Sequence, residues 1–254
     1  MKTNLFLVLI KKEFSEQWRS SRFLILLLVF LFFGIISPLT AKFMPDIISS
    51  MVKEQNITIQ MPEGTWKDAM EQFVKNISQI GVFILILLNM GAVAREKENG
   101  TASFLLVKPV SRNQYIICKF FSRYVLLFVS IAIGFLALVL YTKVFFGSVP
   151  VLLFAESVLI LYLYLMVVQS ISIFFSIVLK NQIPAGILAF VIILLVGLFS
   201  MIDNVGIYSP SQLIEESQTI ISNSVINWQP FAGSLILILC CNIFGNRLFR
   251  NWES

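Results

Sequence analysis

Residues 23–40 read FLILLLVFLFFGIISPLT, eighteen positions without a charged side chain. A helix needs about 20 apolar residues to cross the hydrocarbon core of a bilayer, and this run is close to that length. It reads as a span and not as a cleavable leader, because the apolar run is too long and no small-residue cleavage site follows it. Five further runs repeat the pattern near 77–94, 120–142, 151–179, 183–202 and 228–245. The run 151–179 exceeds the hydrocarbon thickness and must tilt, kink or project. Composition agrees: of 254 residues, 57% are hydrophobic, 13% are charged and 24 are Phe. Mean hydropathy is +0.86. A soluble domain has about 25% charged residues, and this chain lacks the polar surface to make one. Disorder is excluded on the same grounds. The expected fold class is an all-α membrane protein with six transmembrane helices.

Orientation follows from Lys and Arg placement. With the N-terminus inside, Lys2, Lys11, Lys12, Arg19, Arg22, Arg95, Lys97, Lys108, Arg112, Lys119, Arg123, Lys180, Arg247 and Arg250 lie on the inner side. Only Lys42, Lys53, Lys67, Lys75 and Lys143 lie outside, and 203–227 holds no Lys or Arg. The expected location is the cell (plasma or inner) membrane, multi-pass, with both termini cytoplasmic. No repeat divides the chain, so one transmembrane domain, 1–254, is expected. Within it lie an interfacial segment 1–22, spans one and two across 23–94 with an outer loop 41–76, and a cytoplasmic stretch 95–119. Spans three to six follow across 120–245 with an outer loop 203–227, and 246–254 is a tail. In the first outer loop Thr65 is placed to cap a helix running through Ala69, Met70 and Phe73 into span two.

Catalysis by this chain is not expected. His is absent, which removes the commonest general base and metal ligand. No paired carboxylates sit within spans, no metal site is indicated, and nothing points to nucleic acid. Cys118, Cys240 and Cys241 imply no disulfide framework.

Two cytoplasmic segments stand out. At 100° per residue, Phe6, Leu7, Ile10, Phe14 and Trp18 form an apolar stripe, with Lys11, Lys12, Ser15, Glu16 and Arg19 opposite. Such a helix lies in the interface, either as a topology anchor or as a brace packed against the bundle. The second segment is REKENGTASFLLVKPVSR, residues 95–112. Asn99 and Gly100 stop a helix, since Gly takes the left-handed conformation readily. Thr101 or Ser103 can cap a short helix carrying Phe104, Leu105, Leu106 and Val107, which Pro109 ends. Ser111 with Gln114 is a capping box that starts the next span. The short apolar helix either docks a protein partner or lies on lipid headgroups.

Glu96-Lys97-Glu98-Asn99-Gly100-Thr101, the pair Leu105-Leu106, Lys108-Pro109-Val110-Ser111-Arg112 and the later Lys119 resemble the coupling region of ABC-2 type permeases. Lys11-Lys12-Glu13-Phe14 with Trp18-Arg19 resembles the amphipathic elbow helix of that family. The resemblance covers the chain in layout and residues 95–119 in recognisable sequence. It implies the permease subunit of an ATP-driven transporter, an exporter that moves or mechanically acts on an unidentified substrate. Two permeases, identical or related, would pair with two cytoplasmic ABC ATPase subunits. No Gly-x-x-x-x-Gly-Lys-Ser/Thr loop is present, so ATP and Mg would be bound by the partner and no cofactor by this chain. The resemblance further implies that Glu96, Glu98, Gly100, Thr101, Phe104, Leu105, Leu106, Pro109 and Arg112 couple to the ATPase. Glu96 and Glu98 would meet basic groups on the ATPase or on the elbow, which carries Phe14, Trp18 and Arg19.

Polar residues within spans are costly and often functional. Asn89 and Gln169 either line a pathway or hydrogen-bond between helices, and Glu156 either joins them or reaches water near the outer end of span four. Gly81, Gly91, Gly134, Gly186 and Gly197 are expected to permit close packing. The rival reading is an ATP-independent secondary transporter or channel, but such proteins place several titratable groups at the midplane and this chain offers almost none. The substrate is not legible, and the outer loops could cap an exit or bind an extracytoplasmic accessory protein.

Overall fold

A computed structural model describes residues 2–53, 63–101, 111–202, 205–221 and 226–250. The described residues form helices, and six are long and apolar enough to cross a membrane. α1 (Lys2–Arg19) precedes span one, α2 (Arg22–Lys53). Span two is composite: α3 (Trp66–Asn76), a π-helical turn (Ile77–Gly81) and α4 (Val82–Asn89). A short α5 (Ala94–Glu98) follows. Spans three, four and five are α6 (Arg112–Phe146), α7 (Val151–Val178) and α8 (Gln182–Phe199). A 3₁₀ turn (Gly206–Tyr208) and α9 (Gln212–Thr219) lead to span six, α10 (Gln229–Arg250).

Several segments expected outside the spans are helical. Span one continues through the first part of the expected loop 41–76, and α3 occupies its last part. The 3₁₀ turn and α9 occupy part of 203–227. Residues 112–119 of the expected cytoplasmic stretch are the first turns of span three, and span six runs to Arg250 into the expected tail. The reason is common to all four: backbone groups near a bilayer are most readily satisfied within a helix, so helices outlast their apolar cores. Thr65 starts α3 as its sequence suggests, its N–H and hydroxyl donating to the Asp68 carboxylate at 2.7 and 2.8 Å. The Ser111 hydroxyl accepts from the Gln114 N–H at 3.2 Å and starts α6.

Span four is central, touching spans two, three, five and six and the short α9. Its inner positions Phe154, Leu161, Leu165 and Val168 are buried within one apolar core that runs along the bundle. Spans one and three share a long contact made possible by Gly34 and Gly134. A Cβ on Gly34 would lie 2.3 Å from the Gly134 carbonyl oxygen, and one on Gly134 would lie 2.8 Å from that of Phe30. Gly197, by contrast, faces open space and permits no packing of its own within the chain.

A second, smaller core closes the end that carries α1, α5 and the last turns of span six. It gathers Val93, Tyr115, Ile116, Phe120, Ile173, Ile177 and Phe249. This end also holds Lys12, Arg95, Lys97, Arg112, Lys119, Arg123, Arg247 and Arg250, and is called the basic end below. Tyr115 stacks on Phe249 with ring centroids 5.3 Å apart, and Arg112 donates to the Arg250 carbonyl at 2.7 Å. Between α4 and α5 the helix breaks, and the N–H groups of Val93 and Ala94 both donate to the Ser176 hydroxyl of span four at 2.8 and 2.9 Å. Ser176→Ala would leave two buried donors unsatisfied and should destabilise the protein by about 1–3 kcal/mol, read as a lowered unfolding midpoint in detergent.

Candidate functional site

At the basic end, α1 docks on the bundle by one edge. Leu9, Glu13 and Gln17 are buried, four residues apart and therefore on one side. Leu7 and Trp18 of the expected apolar stripe are exposed, Phe14 is half-buried and Arg19 is exposed. The helix is docked by a largely polar edge, while its apolar stripe is only partly covered: Phe6, Ile10 and Phe14 are half-buried, and Leu7 and Trp18 face outward. Trp18 packs on Phe23 at the start of span one, ring centroids 5.6 Å apart.

The docked edge meets a closed set of charges. Lys119 of span three has no exposed surface, and its ammonium donates to Glu13 Oε1 and Oε2 at 3.2 and 3.3 Å and to Glu96 Oε1 at 2.8 Å. It also lies 4.9 Å from the centroid of the Tyr115 ring. Lys12 Nζ reaches Glu13 at 3.1 Å, Glu96 at 3.2 Å and Glu16 at 2.9 Å. Arg123 Nη1, one helical turn beyond Lys119, stands 3.6 Å from Glu13. Three cations thus face three carboxylates, and the charges balance. Burying charge is costly unless it is paired and hydrogen-bonded; every charge here has an opposite partner, while Glu96 Oε2 and Arg123 Nε and Nη2 are buried without a hydrogen-bond partner among the described residues. Carboxylate oxygens of Glu13, Glu16 and Glu96 lie within 4.8 Å of one another, but the ammonium groups of Lys12 and Lys119 already bridge them.

Burial pushes the Glu13 carboxyl upward, but the charges of Lys119, Arg123 and Lys12 outweigh it and hold it down at about 2. Burial and the nearby Lys119 pull Lys12 down, and Glu13, Glu96 and Glu16 more than reverse this, leaving it above its ordinary 10.5. The stability that Glu13 supplies is therefore complete above its ordinary 4.5 and is lost as pH falls from there through about 2. The contribution of Lys12 is complete below 10.5 and is lost only as pH rises through its higher folded value. A spin label at the exposed Lys11 should keep constant mobility from about pH 8 to about pH 5 and loosen only in stronger acid. Loosening near neutrality would show that Glu13 does not hold the helix.

Glu96 sits in α5, whose end is built as the sequence suggests. Asn99 N–H donates to the Arg95 carbonyl, Gly100 N–H to that of Lys97, and Gly100 takes the left-handed conformation with φ +69°. The Thr101 hydroxyl donates back to the Glu96 carbonyl at 3.2 Å. Lys97 donates to the Ile177 carbonyl, near the C-terminus of span four, and its ammonium lies 5.9 Å from the Phe249 ring centroid. Glu98 is exposed. Phe104, Leu105, Leu106 and Pro109 lie outside the described residues. Between Thr101 and Ser111, therefore, nothing is added here to the reading of a short docking helix.

Asn89 and Gln169 are brought together on the wall of one small cavity beside this network, whereas Glu156 is exposed near the far end of span four and joins neither. At that far end a larger cavity, about 480 Å³, is lined by Gln212, Glu216, Asn227 and neighbours, with Asn227 donating to both Glu216 oxygens at 2.6 and 3.3 Å.

The sequence that folds in this way has a counterpart among known families. The model of the ABC-2 family transporter protein matches residues 7–237. The chain belongs to the ABC-2 transporter family. It is also similar to a curated protein of Bacillus subtilis (strain 168), named as the uncharacterized transmembrane protein YxlG, with 27% identity over 154 residues. The match spans 59% of this chain and 59% of that relative. As an ABC-2 family member with six apolar helices, the chain is a multi-pass membrane protein of the ABC transporter class.

The residues that this ABC-2 chain gathers at its basic end were only partly visible in its sequence. Glu13, Lys119 and Arg123 carry the network, yet none stood out as a site residue. A signal existed: Lys119 and Arg123 are a cationic pair four residues apart flanking Phe120 and Phe121 at the edge of an apolar run, and cations held close to apolar surroundings demand partners. With the apolar run placed at 120–142, Lys119 falls in the expected cytoplasmic stretch, where a cation needs no buried partner.

Proposed function

We propose that this chain is the permease subunit of an ATP-driven ABC-2 exporter, energised by a separate cytoplasmic ATPase that docks at the basic end. ATP and Mg would be bound by that partner. The observation that supports this reading most directly is the Lys119 hub. Glu96 stands one turn before the Gly100 break, and the same buried ammonium holds Glu96, the Glu13 of α1 and span three. A push on the stretch that follows Gly100 is therefore carried at once into α1 and span three, with no slack side chain between them. Packed elements joined by buried charge move as units, which is what a lever needs.

In this reading the basic end faces the cytoplasm of a cell membrane, in keeping with the uneven placement of Lys and Arg. Two permeases, identical or related, pair with two ATPase subunits. Glu98, exposed on α5, is free to meet a basic group of the ATPase, and Gly100 sets the turn that presents residues 102–110. The cargo is hydrophobic or amphipathic, and an accessory protein could sit on the opposite face, over α9.

The test uses the permease reconstituted with the ATPase that co-purifies with it. Gly100→Pro and Glu98→Lys should preserve expression, because neither residue is in the core, and should sharply reduce ATP hydrolysis that depends on the permease. Unchanged coupled hydrolysis in both variants would sink the coupling role. Transport by the chain alone, without ATP, would favour a secondary transporter or channel.

A further inference from the structure

We infer that the cavity beside the charge network is a binding site for a single anionic phosphate oxygen, entering between α1 and the first spans. The cavity has a volume of about 20 Å³. That is room for one oxygen-sized group and no more. Its polar wall comes from five residues on five elements: Gln17 of α1, Arg22 of span one, Asn89 of span two, Arg123 of span three and Gln169 of span four. The remainder is apolar, including Phe23 and Leu26.

The sign of the ligand is set by what this wall leaves unpaired. Gln17 Nε2, Arg123 Nε, Arg123 Nη2 and Gln169 Nε2 are buried without a hydrogen-bond partner among the described residues. Gln17, Arg123 and Gln169 are each more than nine-tenths buried. All four orphaned atoms are donors, and no orphaned oxygen lies on this wall. Buried polar groups are nearly always satisfied, so four such donors around one void call for an acceptor. A water molecule accepts only two hydrogen bonds and must place two protons of its own. An anionic oxygen accepts three or more and brings none.

Charge points the same way. Arg22 and Arg123 both line the cavity and no carboxylate does, since Glu13 engages Arg123 from the other side through Nη1. Guanidinium groups with free N–H edges are suited to phosphate. A cavity too small for a whole phosphate takes one oxygen and leaves the rest of the group at the mouth. Arg22 is the one half-buried charged residue of the wall, and its near neighbours in sequence Trp18, Leu24 and Ile25 are exposed apolar groups, so a headgroup would approach from that side. The phosphodiester of a phospholipid and a free phosphate share the required chemistry, and this site stands apart from the ATPase-coupled reading.

The experiment uses the purified full chain in detergent, with binding followed by native mass spectrometry and by unfolding midpoint. The probes are phosphatidylglycerol, a diacylglycerol of the same chains without phosphate, and millimolar inorganic phosphate. Phosphatidylglycerol should bind and stabilise where diacylglycerol does not, and Gln17→Leu with Gln169→Leu should weaken this about tenfold by removing charge-assisted hydrogen bonds. If inorganic phosphate reproduces the stabilisation with the same dependence on these residues, the oxygen comes from a soluble anion; if it does not, it comes from the lipid. Either result supports the site. Should the double variant fail to fold, Gln169→Leu alone serves the same comparison. The proposal is overturned if the folded variant binds both phosphate probes as the parent does. It is also overturned if the parent binds phosphatidylglycerol no better than diacylglycerol and ignores inorganic phosphate.

Discussion

Replacing Lys119 with Met is expected to lower the stability of the detergent-solubilised protein by about 3–5 kcal/mol, a large part of what a single fold possesses. Met keeps the length and most of the volume of the Lys side chain, so packing is nearly preserved and the loss isolates the charge. Glu96 would then retain only Lys12 at 3.2 Å, and Glu13 would retain Lys12 and the more distant Arg123. A carboxylate left in a buried site without its cation bears the full desolvation penalty. Equilibrium unfolding of Lys119→Met, Glu96→Gln and the double variant measures this directly. The double variant should be less destabilised than the two single effects added together, because neutralising Glu96 removes part of the uncompensated charge. An unfolding midpoint for Lys119→Met equal to that of the parent would mean that the hub does not hold the basic end together. In the assembled complex, the same variant should also lose permease-dependent ATP hydrolysis if the hub transmits motion.

Gly34→Leu should destabilise the bundle by about 1–3 kcal/mol or more, as overpacking does when the obstruction cannot rotate away. The obstruction here is backbone: the new Cβ would meet the Gly134 carbonyl oxygen at 2.3 Å, so spans one and three must separate along their shared contact. Even Gly34→Ala introduces that atom and should lower the unfolding midpoint. Gly197→Ala is the matching control, because nothing lies within 4 Å of a Cβ placed there. It should be neutral or slightly stabilising through helix propensity. If both alanine variants behave alike in an unfolding titration, the close approach of spans one and three is not what Gly34 provides.

Much of the architecture was legible because each span must satisfy its own backbone in lipid, and an apolar run of helical length has few alternatives. The Gly100 stop and the Thr65 and Ser111 starts were equally local, since each depends on residues within one turn. The orientation of α1 was not legible. Its hydropathy pattern marks Phe6, Leu7, Ile10, Phe14 and Trp18 as one apolar stripe but does not say which edge docks, because in a bilayer the apolar phase lies outside the bundle as well as inside it. Amphipathicity then loses its usual meaning, and the side that docks is the one whose charges find partners. Those partners, Lys119 and Glu96, lie more than eighty residues away in the chain. Asn89 and Gln169 show the same limit, since either residue alone reads as ordinary interhelical polarity and only together do they wall a cavity.

The chain by itself determined six apolar helices, the uneven sharing of positive charge between their two ends, and the left-handed break at Gly100. These depend on composition and on neighbours in sequence, where helix geometry carries the inference. Tertiary structure alone decided which edge of α1 faces inward, that Lys119 is the residue enclosed by carboxylates from two other helices, and that Gln17, Arg123 and Gln169, with four unpartnered buried donors among them, wall one void. Pairing of buried charge depends on distances across the bundle, and no periodicity within a single helix records them.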